Sequence, residues 1–157
     1  TLYKKNRDAD NQILIGNNTW VRGAGAGATV LKNTATSAYD GVIRNLDTSA
    51  GNSYLKVSDL TIQRTAQISA LGTGFNEFIL AYNCDHVWVE RCACLGPGVP
   101  SPPVTSGGKG IHMRGTQYSW IRDNYLSDIP DTPIAINGKD VLPADTPLYA
   151  VVMGNHI

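Results

Sequence analysis

Residues 118–126 read YSWIRDNYL and residues 86–95 read HVWVERCACL. Both place a tryptophan before a β-branched residue and then a charged one: Trp120-Ile121-Arg122 and Trp88-Val89-Glu90. A third stretch, NTWVRGAGAG, opens the same way with Trp20-Val21-Arg22, and these three places hold every tryptophan in the chain. Moved forward, the pattern lands on VVMGNHI, with Val151 for Trp120, Val152 for Ile121, Asn155 for Asn124 and Ile157 for Leu126. Moved back from Trp88, it fits DLTIQRTA, with Thr61 in the tryptophan position and Ile62 in the branched one. Cys92 takes the asparagine position of its copy. The steps between copies are then 41, 27, 32 and 31 residues, a spacing that suits a solenoid with loops of variable length.

A second strand precedes each later copy. GFNEFILAYN, GKGIHMRGTQ and DTPIAINGKD align so that Ile79, Ile111 and Ile134 share one column, and Ala81, Met113 and Ile136 the next. Each repeat is thus expected to be strand, turn, strand and a variable loop. Alternation with period 2 dominates and helical periodicity is absent. A sandwich or barrel would need hairpin turns between strands, yet Asn-Gly occurs only at Asn137-Gly138. Same-sense copying of a whole turn is what stacked parallel coils require, with like side chains about 4.8 Å apart in ladders. Asn124 over Asn155 would be one such ladder. The expectation is an all-β parallel β-helix of about five coils. It forms one domain over residues 1–157 that is incomplete at both ends, since the chain opens on TLYKKN and stops at VVMGNHI in mid-strand.

Composition narrows the function. The chain of 157 residues is formally neutral, so it offers no electrostatic case for nucleic acid or an acidic membrane surface. Its apolar runs fall far short of the roughly 18 residues of a membrane span, and no membrane insertion is expected. Cys84, Cys92 and Cys94 form an odd set without paired metal-ligand spacing; they read as small buried side chains, with no metal and no cofactor expected. RGAGAGATVL has the look of a phosphate-binding loop, but Thr29-Val30-Leu31 continue as strand where a helix is needed. It reads better as a small-residue turn.

ILIGNNTWVRGAGAGATVLKN resembles the opening coil of the right-handed β-helix superfamily typified by pectin and pectate lyases. SYLKVSDLTIQRT, GIHMRG and YSWIRDNYLSD resemble its succeeding coils. The resemblance implies the fold and a choice of activities, since the superfamily holds lyases, hydrolases, epimerases, phage tailspikes and adhesins. The chain has no Gly-His-Gly, no Asp-Asp pair of the polygalacturonase type and no Asp-Pro-His of the alginate epimerases. The resemblance therefore transfers no catalytic residue.

Alternation assigns the faces. With Val87, Val89, Ser119 and Ile121 inward, Trp88, Glu90, Trp120 and Arg122 point outward. A covering Thr- or Pro-rich loop, a neighbouring subunit or a sugar would each satisfy the tryptophan column. The other strand column presents Leu80 and Tyr82, His112 and Arg114, Ala135 and Asn137 outward, and nearby segments add Glu77, Lys109, Asp128 and Asp131. Arginine holds carboxylates bidentately and histidine moves protons near neutral pH, which suits an acidic polysaccharide. The expected catalytic set is Asp128, Asp131, His112 and Arg114. The expected substrate-binding set is Tyr82, Asn137, Lys109, Trp88 and Trp120. Asp128 and Asp131 are the close carboxyl pair that hydrolysis would need; His112 or Arg114 would serve a lyase. The functional expectation is a carbohydrate-recognising and polysaccharide-degrading β-helix at an extracellular or virion surface, a homotrimer in the tailspike case. A non-catalytic structural β-helix of a virion tail or adhesin is the alternative.

Overall fold

The structure is a computed structural model that describes residues 12–34, 41–65, 76–97, 108–138 and 149–157. The described residues form fourteen strands: β1 (Ile13–Ile15), β2 (Trp20–Arg22), β3 (Val30–Asn33), β4 (Gly41–Asn45), β5 (Ser53–Ser58), β6 (Thr61–Arg64) and β7 (Glu77–Tyr82). They continue as β8 (Asp85–Glu90), β9 (Ala93–Leu95), β10 (Ile111–Arg114), β11 (Tyr118–Arg122), β12 (Tyr125–Ser127), β13 (Ile134–Asn137) and β14 (Tyr149–Met153). Among the described residues there is no helix.

The strands stack into three sheets: A, of order β1-β4-β7-β10-β13; B, of order β14-β11-β8-β5-β2; and C, of order β12-β9-β6-β3. Every pairing is parallel, and strands adjacent in a sheet come from successive coils. The protein is a parallel β-helix, with one strand of each sheet in each complete coil.

The core is a set of columns of like side chains. Ile43, Ile79, Ile111 and Ile134 align in sheet A, and Val21, Val57, Val89, Ile121 and Val152 in sheet B. Leu31, Ile62, Cys94 and Leu126 line sheet C. β-Branched residues fit these positions because their stiff χ1 suits a pleated, stacked surface. Within the coils they are fully enclosed: Ile43, Ile62, Val89, Ile111 and Ile121 are each 0% exposed, and burial of such a side chain contributes about 1.5–3 kcal/mol. Cys84, Cys92 and Cys94 are free thiols packed in this core, and burial pushes the first two up to about 11 and about 12.

The register corrects two expectations. Each coil has three strands where two were expected. The partner of Trp20 is also not Thr61: Trp20 pairs with Lys56, which pairs with Trp88. Thr61 lies on the third strand of its coil, beside Val30 and Ala93. The copies are therefore spaced by 36 residues from Trp20 to Lys56, 32 to Trp88, 32 to Trp120 and 31 to Val151. The true second copy, Lys56-Val57-Ser58, keeps the branched residue and has lost the ring.

The corner between sheets B and C is made by Asp59-Leu60, Arg91-Cys92 and Asp123-Asn124 in successive coils. Its first residue is left-handed each time, with φ of 58° at Asp59, 52° at Arg91 and 56° at Asp123. Aspartate tolerates this region better than most residues, while arginine pays roughly 1 kcal/mol or more. The expected asparagine ladder is here. Asn155 Oδ1 accepts from the Asn124 backbone N–H (3.0 Å) and Nδ2 (2.9 Å). Asn124 Oδ1 in turn accepts from the Cys92 N–H at 2.9 Å. In the first coil the glycine-rich stretch makes the same corner: Gly23 N–H reaches Ser58 O and Gly25 N–H reaches Asp59 O. A Cβ on Gly23 would meet Asp59 O at 2.1 Å, so a small-residue turn is required.

Candidate functional site

Two outward faces carry the polar and aromatic groups, one on sheet A and one on sheet B. On sheet A, His112 stands in the middle of a buried chain of hydrogen bonds. Its Nδ1 lies 2.9 Å from Glu77 Oε1 and its Nε2 lies 2.9 Å from Asn137 Oδ1. The three residues come from β7, β10 and β13, so the imidazole ties three successive coils together obliquely. Glu77 is 0% and His112 3% exposed. A carboxylate at Nδ1 holds the ring in one orientation, as in acid–base sites where a third group orients the base.

The second Glu77 oxygen, Oε2, accepts the Lys109 backbone N–H at 3.0 Å, and Lys109 Nζ reaches Asp131 Oδ2 at 2.9 Å. Burial alone would raise the Asp131 carboxyl, but hydrogen bonds from Lys109 and Thr132, with the charges of Lys109 and His112, hold it below its ordinary value. At the far end of the strands the Arg114 guanidinium lies 5.2 Å from the centre of the Tyr82 ring, within cation–π range. Six of the expected residues therefore gather on this face: His112, Arg114, Tyr82, Asn137, Lys109 and Asp131.

Asp128 joins a different set. It follows β12 of sheet C with φ of 55°, and its Oδ2 accepts from the Ser127 hydroxyl at 2.9 Å. The two expected carboxylates thus have separate hydrogen-bond partners. The carboxylate that joins the sheet A chain is Glu77, outside the expected set because sequence alone placed it only near the column. Nothing in a period-2 pattern reveals an oblique reach across three coils.

On sheet B the outward columns are surface ladders. Trp88 and Trp120 stack at 4.7 Å with planes 6° apart. Beside them run Tyr54, His86, Tyr118 and Tyr149, with successive ring centres 4.8, 4.7 and 5.1 Å apart. Trp88 and Trp120 each give one face to the other, so the sugar-binding role expected of this pair has at most their outer faces. Trp20 stands apart from the stack. Its Nε1–H donates to Ser58 Oγ at 2.9 Å, and Arg22 and Lys56 lie 5.1 and 5.0 Å from its ring centre. The Thr- and Pro-rich loops considered as covers fall largely outside the described residues.

An ion network edges this face. Glu90, 1% exposed, pairs with Lys56, with Arg91 at 2.7 Å and with Arg122 at 2.8 Å. Burial would raise its carboxyl, but hydrogen bonds from Lys56, Arg122 and Arg91 override that and bring it down to about 2. Asp59 pairs with Arg91 at 2.6 Å and Arg22 at 3.3 Å. Hydrogen bonds from Arg91 and Ser58 hold it well below the carboxylate range. The sequence could have shown this cluster had the second copy been keyed on Val57 rather than on a missing ring.

No family model, curated protein or solved structure matches the chain. The assignment as a parallel β-helix stands on strand register alone. Among the described residues, no group of three or more His, Cys, Asp or Glu is placed to hold a metal ion, and no helix is long and apolar enough to cross a membrane.

Proposed function

We propose that this chain is a carbohydrate-recognising β-helix of the pectin-lyase-like or tailspike kind, acting on or holding an acidic polysaccharide at an extracellular or virion surface. The observation that carries the reading is the Arg114–Tyr82 pair on the outward face of sheet A, beside the Glu77–His112–Asn137 chain. Arginine recognises uronate carboxylates bidentately, and stacking on a ring fixes the plane of its guanidinium. Lys109 and Asp131 supply a cation and an acceptor along the same strands.

A second reading, favoured by the carboxylate-oriented imidazole, makes this face catalytic. With its Nδ1–H held by Glu77 and its Nε2 released by Asn137, neutral His112 would then take the proton beside a sugar carboxylate, with Arg114 neutralising the charge. The C–H electron pair would form a ring double bond as the glycosidic C–O bond breaks, as in a polysaccharide lyase. Incubation of the full chain with a panel of acidic and neutral polysaccharides tests both. Retention of acidic polymers that Arg114→Ala abolishes supports recognition. Growth of unsaturated-uronate absorbance that His112→Gln abolishes supports the lyase. Absence of binding across the panel sinks both and leaves the structural β-helix.

A further inference from the structure

The tryptophan column of sheet B has one gap. In the second coil it carries Lys56 instead of a ring, between Trp20 below and Trp88 above. Two rungs of a parallel stack separate those indoles by about 9.6 Å. Lys56 lies in this space, its Nζ 5.0 Å from the centre of the Trp20 ring and paired with Glu90, so a ligand there would rest over the lysine against the exposed parts of the indoles. The gap opens into a cavity of about 450 Å³ whose lining includes Trp20, Tyr54, Lys56, Trp88, Glu90 and Arg122. Two of its rings stay more than half exposed, Trp20 at 52% beside Arg22 and Lys56 and Tyr54 at 53% with one face on His86.

Charge selects among sugars. The network joins four cations, Arg22, Lys56, Arg91 and Arg122, to two carboxylates, Asp59 and Glu90. It therefore carries an excess of positive charge on a chain whose formal net charge is +0. Arg22 and Arg122 keep 62% and 48% of their side chains exposed. An incoming carboxylate would meet Lys56 and Arg122 at the cavity wall, while the apolar C–H face of the sugar would lie on indole.

We infer that the slot between Trp20 and Trp88, over Lys56, is a binding site for one carboxylate-bearing pyranose, separate from the face on sheet A. It does not depend on that face being functional.

Titration of the full chain with hexuronate oligosaccharides, their neutral hexose counterparts and inorganic phosphate tests this, read by tryptophan emission and calorimetry. Saturable quenching by hexuronate is expected, with the neutral sugar about tenfold weaker. Trp20→Ala should weaken hexuronate binding about tenfold or more with an unchanged urea midpoint, since Trp20 is a surface residue. Lys56→Met, which leaves Arg91 and Arg122 on Glu90, should erase the preference for the acid. Equal affinity in wild type and Trp20→Ala overturns the site, as does absence of saturation or phosphate binding as tight as hexuronate. If Arg114→Ala abolishes hexuronate binding and Trp20→Ala leaves it intact, the ligand belongs to sheet A. The slot is then refuted while the proposed function stands.

Discussion

On sheet A the outward side chains Leu80 and His112 are each 3% exposed or less, whereas on sheet B the outward Trp20, Tyr54 and Tyr149 are more than half exposed. The strands beneath have the same spacing and the same inward columns of branched residues. What differs is how polar groups are satisfied. Sheet A buries a carboxylate and an imidazole and must give each oxygen and nitrogen a partner, because an unpaired buried charge is costly. Sheet B buries Glu90 among three cations but leaves most of its rings and cations nearer the surface, where stacking and ion pairs each contribute little and accumulate along the ladder. One scaffold thus supports a few high-stakes contacts on one side and many low-stakes contacts on the other.

The largest effect should come from breaking the buried chain. His112→Ala leaves Glu77 with only the Lys109 N–H as a described partner, and a loss of about 3–5 kcal/mol is expected in urea unfolding. A loss below about 1 kcal/mol would place sheet A in the same class as sheet B.

Glu90→Gln comes next, at about 1–2 kcal/mol, because the cations it frees can turn to water. It carries a pH signature. The folded carboxyl lies at about 2 against an ordinary 4.5. Its contribution is therefore complete above pH 4.5 and lost as pH falls from 4.5 towards about 2. Wild type should lose stability over that window more steeply than Glu90→Gln. Parallel curves would show that the network does not act through this carboxylate.

A double-mutant cycle on Trp88 and Trp120 should give a coupling of about 0.5–1.5 kcal/mol. A value near zero would mean that the ring stack is a consequence of register without energetic weight. Smallest of all, Asp128→Asn should change stability by less than about 0.5 kcal/mol and leave polysaccharide retention intact, whereas Asp131→Asn, which loosens Lys109, should reduce it. Equal effects on retention would restore the two aspartates as one set.

The fold was legible because core columns repeat the same branched residue. Ile79, Ile111 and Ile134, and Val89 with Ile121, could be aligned from spacing alone, and so could the asparagine ladder. The second coil was misread because the surface signature, tryptophan, is absent where Lys56 stands, and because Thr61-Ile62 repeats the branched motif one strand later. Surface residues can be exchanged without disturbing the stack, so they are poor markers of register; Val57 was the better one. The site was legible only as a list of outward residues on one column. Which of them meet depends on side-chain reach between coils, as with His112 to Glu77 and Asn137. Burial was hidden too, since alternation marks Leu80 as outward and cannot say that it is covered.

The two-residue corners at Asp59-Leu60, Arg91-Cys92 and Asp123-Asn124 have a consequence for how such a chain can change. One added residue there would throw every following side chain of the coil onto the opposite face, placing a valine outside and a charge within. These corners fix the reading frame of the coil. The first coil makes the same corner with a longer stretch, Gly23 to Thr29, and still returns Val30 into register beside Thr61, so length can change there only where a loop restores the phase, while recognition can diversify along the outward columns. A designer wishing to retarget this surface should randomise positions 20, 54, 56, 88 and 122 and leave the corners untouched.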